Sequence, residues 1–113
     1  MILPSVRILC RPVVHEVTLA LQLTEDHPAF AGHFPGVPVL PGVVQLDWAA
    51  RLGTEYFDTG CPVSGNFQVK FRRTIRPGTD LKLILRYDSE KRSLFFEYRS
   101  QGETASSGRM VLE

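Results

Sequence analysis

The stretch Phe30-Ala31-Gly32-His33-Phe34-Pro35-Gly36-Val37-Pro38-Val39-Leu40-Pro41-Gly42-Val43-Val44-Gln45-Leu46-Asp47 leads a stiff, turn-rich path into a helix. Pro35, Gly36, Pro38, Pro41 and Gly42 punctuate it, and the prolines recur at every third position. Each proline ring fixes φ and removes an N–H, so this spacing favours an extended, polyproline-like course over helix or ladder. From Gly42 the period becomes helical, with Val43, Val44, Leu46, Ala49, Ala50 and Leu52 forming an apolar stripe. The helix is predicted to end near Gly53 or to fray on to Phe57, before a loop marked by Gly60 and Pro62. Two titratable side chains bracket the rigid path, His33 before it and Asp47 after it. A stiff connection between a potential base and a potential acid is where chemistry is expected.

Upstream, residues 13 to 24 alternate, with Val17, Leu19, Leu21 and Leu23 on one face, and read as a strand with one buried side. Thr24 to Ala29 is polar, contains His27-Pro28 and reads as a loop. Downstream, Phe67, Val69 and Phe71 alternate with Gln68, Lys70 and Arg72, and Pro77-Gly78 supplies a turn. Leu81, Leu83, Leu85 and Tyr87 mark the next strand, and Ser89 to Arg92 the next connection. Leu94, Phe96 and Tyr98 mark another strand, and Gln101-Gly102-Glu103 turns the chain into a final one ending at Leu112. The predicted order is one strand, one long helix and a meander of about four strands. A helix apolar nearly all round, followed by antiparallel strands, implies an α+β fold in which a curved sheet wraps a central helix.

At 113 residues, the chain has room for one core, so residues 1–113 are expected to form a single domain. So small a sheet leaves apolar surface to cover, and at least a dimer is expected. A net charge of +1 excludes a strong nucleic-acid footprint. No apolar run is long enough for a signal h-region or a membrane span, which fits a cytoplasmic protein. Cys10 and Cys61 lack metal-like spacing and read as reduced thiols. His15 and His27 read as surface residues, and the separation of His27 from His33 does not suggest a zinc site.

Asp47 stands out on spacing alone, four residues after Val43 and three after Val44, beside the apolar stripe. A carboxylate there is partnered or open to a cleft, and the plainer alternative is a helix-surface charge. Gly42 heads the helix, where unpaired N–H groups and the positive dipole end point outward. Its lack of a side chain would let a carbonyl oxygen approach closely.

The segments Gly32-His33-Phe34-Pro35-Gly36, Pro38-Val39, Pro41-Gly42-Val43-Val44 and Asp47 resemble those of 3-hydroxyacyl-acyl-carrier-protein dehydratases of the FabA/FabZ type. Phe67 to Arg73, followed by Pro77-Gly78-Thr79-Asp80-Leu81, is similar to the next strand and turn of that family. The carboxylic acid is Asp, as in the FabA type, where the FabZ type has Glu. The run Val43 to Ala49 resembles the small ApeI-like dehydratases of aryl polyene gene clusters. The resemblance implies a hot-dog fold, a long helix wrapped by an antiparallel sheet, with two subunits paired through their sheets around two shared sites. It implies His33 as the base at C2, Asp47 of the partner subunit as the acid or water-orienting group at the 3-hydroxyl, and the Gly42 N–H as the donor to the thioester carbonyl. It also implies a cis peptide at His33-Phe34.

The implied substrate is a 3-hydroxyacyl chain on acyl carrier protein, and the implied reaction uses no cofactor and no metal. The implied assembly is a homodimer, or a heterodimer with another hot-dog subunit. Arg72, Arg73 and Arg76 are candidates for contact with the carrier protein or its pantetheine phosphate, the alternative being a solvated strand face. Phe30, Phe34 and Trp48 either line an acyl tunnel or belong to ordinary core or dimer packing. Rival functions on the same fold are a thioesterase, a hydratase of coenzyme A esters, and a non-catalytic acyl-binding subunit.

Overall fold

A computed structural model of the chain describes residues 2–30, 39–59, 62–78 and 80–112. Six strands and one long helix occur in the order β1 (Ser5–Val13), β2 (Glu16–Gln22), α1 (Gly42–Phe57), β3 (Pro62–Phe71), β4 (Asp80–Asp88), β5 (Ser93–Ser100) and β6 (Glu103–Leu112). A 3-10 turn, Pro28–Phe30, precedes the helix. All six strands join one antiparallel sheet in the order β1-β2-β4-β5-β6-β3.

Alternation decides which face of the sheet meets the helix. Val17, Leu19 and Leu21 on β2, Leu81, Leu83 and Leu85 on β4, and Leu94, Phe96 and Tyr98 on β5 are all buried. They enclose Val44, Trp48, Ala49 and Leu52 of α1, which lies across β4 and β5. Burying large side chains on this scale, at about 1.5–3 kcal/mol each, is what fixes the register of the sheet.

The hairpins follow their turn chemistry. Ser100 pairs with Glu103, and the Gln101-Gly102 loop between them has φ of 54° and 79°. Positive φ at both central residues is the type I′ turn that matches strand twist. Between β4 and β5, Asp88 Oδ1 accepts hydrogen bonds from the N–H groups of Glu90 at 3.0 Å and Lys91 at 3.2 Å.

Helix α1 continues past Gly53 to Phe57 and stops at Asp58, whose left-handed backbone directs its N–H to Thr54 O. Gly53 lies inside the helix, packed so closely under Leu94 of β5 that a Cβ there would meet Leu94 Cδ2 at 2.5 Å. It is a contact residue rather than a stop signal.

Three expectations need correction. A further strand, β1, lies before the one expected, so two strands precede the helix. It is an edge strand with nearly every residue exposed and two register shifts against β2, which explains why no clean alternation marks it. Val43 is 65 % exposed and drops out of the buried stripe, while Gln45, which the stripe omitted, is buried. His27 is buried rather than on the surface, its ring edge-on to Trp48 with centroids 5.3 Å apart.

The other edge strand, β3, begins earlier than Phe67 and pairs on one side only, with β6. On it Phe67 and Phe71 are 46 % and 50 % exposed. Large aromatics on an unpaired strand edge are a surface suited to a second chain.

Candidate functional site

The first turn of α1 has an unusual start. Its N-cap is Pro41, with φ −61° and ψ 148° and no side chain to cap the helix. The helical bonds begin with Val44 N–H and Gln45 N–H, which both donate to Pro41 O, at 3.1 and 3.2 Å. The N–H groups of Gly42 and Val43 therefore precede the internal ladder and carry the partial positive charge of the helix end. Gly42 borders a cleft of about 380 Å³ that Leu40, Gln45, Phe71, Arg72 and Arg73 also line. The Phe71 ring lies against Gly42, where a Cβ would come within 2.7 Å of Phe71 Cζ. Glycine is what lets that aromatic close over the helix start.

Asp47 lies just over one turn further along the helix. Its side chain is 35 % exposed, with Arg51 Nη1 3.7 Å from Oδ2, too long for a hydrogen bond. Asp47 Oδ2 itself is shielded from solvent and accepts no hydrogen bond among the described residues. Beneath it lies Tyr98, fully buried, whose hydroxyl donates to Gln45 O at 2.7 Å. Burial pushes the Tyr98 hydroxyl well above the usual tyrosine range, and the Asp47 charge adds to that, partly offset by a backbone hydrogen bond from Ala49.

This has a testable consequence. A tyrosine whose folded pKa is raised contributes stability that is fully present below its unfolded value of about 10 and lost as pH rises above it. Tyr98→Phe should flatten the alkaline limb of a stability–pH curve and cost about 1 kcal/mol at neutral pH, measured by urea unfolding. An unchanged alkaline limb would refute the assignment.

Among the remaining candidates, Trp48 is fully buried and Phe30 nearly so. Phe30 N–H donates to His27 O at 3.0 Å, which sets this aromatic on the side where His27 meets Trp48. Arg72, Arg73 and Arg76 are all exposed at and beyond the end of β3. Arg73 is engaged with Glu103 at 2.6 Å, while Arg72 and Arg73 both border the cleft at Gly42. His33, Phe34 and the expected cis peptide between them lie outside the described residues, as does Cys61. Cys10 is an exposed free thiol. Among the described residues, no group of three His, Cys, Asp or Glu side chains could hold a metal, and no helix is long and apolar enough to cross a membrane.

Sequence reasoning missed two residues here, Gln45 and His27. Position 45 lies three, four and seven residues before the buried Trp48, Ala49 and Leu52, so its burial was legible on the helical face. His27 gave no such signal. Its Nδ1 accepts the Ala29 N–H at 3.1 Å, which puts the proton on Nε2, and Nε2 finds no acceptor among the described residues.

Known proteins share this fold. One chain of the dehydratase heterocomplex ApeI:P from Xenorhabdus doucetiae superposes with a TM-score of 0.84 at 34 % identity, covering 96 % of this chain and 97 % of that one. A protein from Erwinia carotovora superposes with a TM-score of 0.81, also at 34 % identity. Thioesterase superfamily member 2 from Mus musculus, with a TM-score of 0.68 and 14 % identity, shares the fold alone. In sequence, the 3-hydroxyacyl-[acyl-carrier-protein] dehydratase FabZ of Herpetosiphon aurantiacus is 32 % identical over 99 residues, 81 % of this chain and 68 % of that protein. FabZ of Thermomicrobium roseum is 34 % identical over 80 residues, 54 % of its length. The chain thus spans about half to two thirds of the length of the curated relatives it matches. The ApeI-like family model, described as ApeI dehydratase, matches residues 11–109, and with that span of a six-stranded hot-dog sheet around one helix the chain belongs to the ApeI-like dehydratase family.

Proposed function

We propose that the chain dehydrates 3-hydroxyacyl thioesters held on acyl carrier protein, giving trans-2-enoyl thioesters, in a fatty acid or aryl polyene type of biosynthesis. The observation that carries this reading is the pairing, on one helix, of an uncapped first turn at Gly42 with Asp47, whose Oδ2 has no hydrogen-bond partner among the described residues. A buried carboxyl oxygen left without a hydrogen-bond partner is costly unless something else supplies one, and the 3-hydroxyl of a substrate would do so.

The steps balance without a redox partner. The His33 imidazole takes the C2 proton, and the electron pair left behind forms the C2–C3 double bond. The C3–O bond breaks, and Asp47 supplies the proton that lets the oxygen leave as water; the proton taken up by His33 then returns to Asp47 through solvent, restoring both groups. A histidine titrating near neutrality suits the first transfer. The thioester oxygen gains negative charge as C2 loses its proton, and the Gly42 N–H at the positive helix end stabilises it. Arg72 and Arg73, beside the same cleft, would receive the pantetheine phosphate or the acidic carrier surface. Neither a metal nor a redox cofactor enters these steps.

Two chains make the unit. The unpaired edge of β3, with Phe67 and Phe71 half exposed, would join the β3 of a second copy or of another hot-dog subunit, bringing His33 of one chain to Asp47 of the other. The match to the ApeI:P heterocomplex supports keeping the heteromeric form beside the homodimer. A carrier-bound substrate sets the reaction in the cytoplasm.

Intact-mass measurement of a 3-hydroxyacyl-carrier-protein incubated with the purified chain tests the reading. Loss of one water from the carrier, with or without an added hot-dog partner, is expected. Release of unacylated carrier protein would instead make the chain a thioesterase. An unchanged carrier in both mixtures would leave a non-catalytic subunit.

A further inference from the structure

We infer that Gln45 is a positioning residue that fixes the direction of the Gly42 N–H, and so controls turnover without touching the substrate. The inference rests on the proposed role of Gly42 as donor to the thioester oxygen. It starts from an anomaly of composition. Gln45 is 3 % exposed on the helix face that otherwise buries Val44, Trp48, Ala49 and Leu52. An apolar side chain would fill that place without the cost of dehydrating an amide.

Both ends of the amide are used. Gln45 Nε2 donates to Leu40 O at 3.1 Å, and Gln45 Oε1 accepts from Ser106 Oγ at 2.6 Å. The backbone carbonyl of the same residue receives the Tyr98 hydroxyl at 2.7 Å. Ser106 on β6 and Tyr98 on β5 are both fully buried. Gln45 is thereby tied to two strands of the sheet, and it ties Leu40 to them in turn. Leu40 is also held from its other side, its N–H donating to Ile75 O at 2.7 Å.

The consequence falls on the next two residues. With the peptide units on both sides of Leu40 held, one by its N–H and the next by its C=O, and the φ of Pro41 set by its ring, little freedom remains before the Gly42 N–H. A capping box cannot do this work, because it needs a backbone N–H at the N-cap and Pro41 has none. A Ser or Asp cap would also occupy first-turn N–H groups. Gln45 locks the helix start from the core side instead, leaving the Gly42 and Val43 N–H groups uncapped, with Gly42 bordering the cleft. Preorganised donors stabilise a developing oxyanion because they need no reorientation as the charge appears.

The experiment compares Gln45→Met, Gln45→Glu and Ser106→Ala with wild type, all with the active assembly and a 3-hydroxyacyl-carrier-protein. Gln45→Met keeps the volume and removes both amide bonds. It should lower kcat by about 10- to 100-fold, since a small misplacement of a catalytic group can cost that much, with KM within about twofold. Gln45→Glu, while protonated, replaces both bonds. It should approach the wild-type kcat at mildly acidic pH and fall away at higher pH more steeply than wild type, with Tyr98 bonded to its carbonyl and Arg72 and Arg73 lining the same cleft as the charged or titratable groups about it. Ser106→Ala leaves the Leu40 bond and should lose only a few-fold, which serves if Gln45→Met does not fold.

A wild-type kcat in Gln45→Met, a loss confined to KM, or a Gln45→Glu variant as impaired as Gln45→Met at every pH would overturn the inference. Backbone amide exchange separates it from the dehydratase reading. If the wild type eliminates no water, that reading fails, yet faster exchange at Gly42 in Gln45→Met would still establish the positioning, and unchanged exchange would refute it.

Discussion

Asp47→Asn should lower the turnover of a 3-hydroxyacyl-carrier-protein by about 10²–10⁴-fold, the usual contribution of a positioned proton donor, with little change in stability. Asparagine has the same shape and cannot supply the proton that the leaving oxygen needs. The stability cost is small because the ionic contact of Asp47 with Arg51, at 3.7 Å, is long and partly exposed, and such pairs contribute about 0–1 kcal/mol. His33→Ala should be inactive for the complementary reason, having lost the base. The sharper result comes from mixing the two inactive variants. In a symmetric dimer whose sites each combine His33 of one chain with Asp47 of the other, random exchange makes half the dimers mixed, and each mixed dimer has one intact site. Activity should then return to about a quarter of the wild-type value. Failure to recover any activity, with subunit exchange verified by mass, would place both residues of a site on the same chain.

How much of this was readable beforehand depended on how strongly local pattern and tertiary packing agreed. The helix from Gly42 and the strands through Leu81–Tyr87 and Leu94–Tyr98 followed directly from periodicity, because one face of each is buried and the other is not. Strand β1 failed that test for a physical reason. It sits at the edge with almost every residue exposed, so no alternation is imposed on Arg7, Leu9 or Arg11, and Pro12 is tolerated there. Gly53 offered one of two helix ends because glycine often marks one, and the helix takes the other, at Phe57; the glycine is there because Leu94 leaves no room for a Cβ. His27 was the least legible. It follows a polar run, and only the turn in which its N–H bonds to Thr24 O and its carbonyl accepts from Phe30 N–H rolls the imidazole inward onto Trp48. Of the candidate site, Gly42, Asp47 and the two arginines at the cleft could be named from motif and spacing. The role argued for Gln45 could not, since it depends on Ser106 and Tyr98, which lie 61 and 53 residues away in sequence.

Trp48→Ala should be the most destabilising single change in the chain. Trp48 is completely buried at the middle of α1, beneath the sheet and against His27, so truncation leaves a large cavity in a small core. Losses of about 3–5 kcal/mol are usual for such changes, a large part of the roughly 5–15 kcal/mol that holds a domain together. The melting temperature should fall by about 15–30 °C. Trp48→Phe is the informative control. The indole N–H has no acceptor among the described residues, so replacing it with a ring that lacks the donor removes an unpaired polar group while keeping most of the contact. Its cost should be about 1 kcal/mol, far below that of alanine. If Trp48 lined an acyl tunnel instead, alanine would leave the melting temperature within a few degrees of wild type and shift the preferred substrate to longer chains. Calorimetry of the two variants beside a chain-length series separates these cases. Complete burial of the ring favours the core, and the preferred chain length of the residual activity should stay where it is.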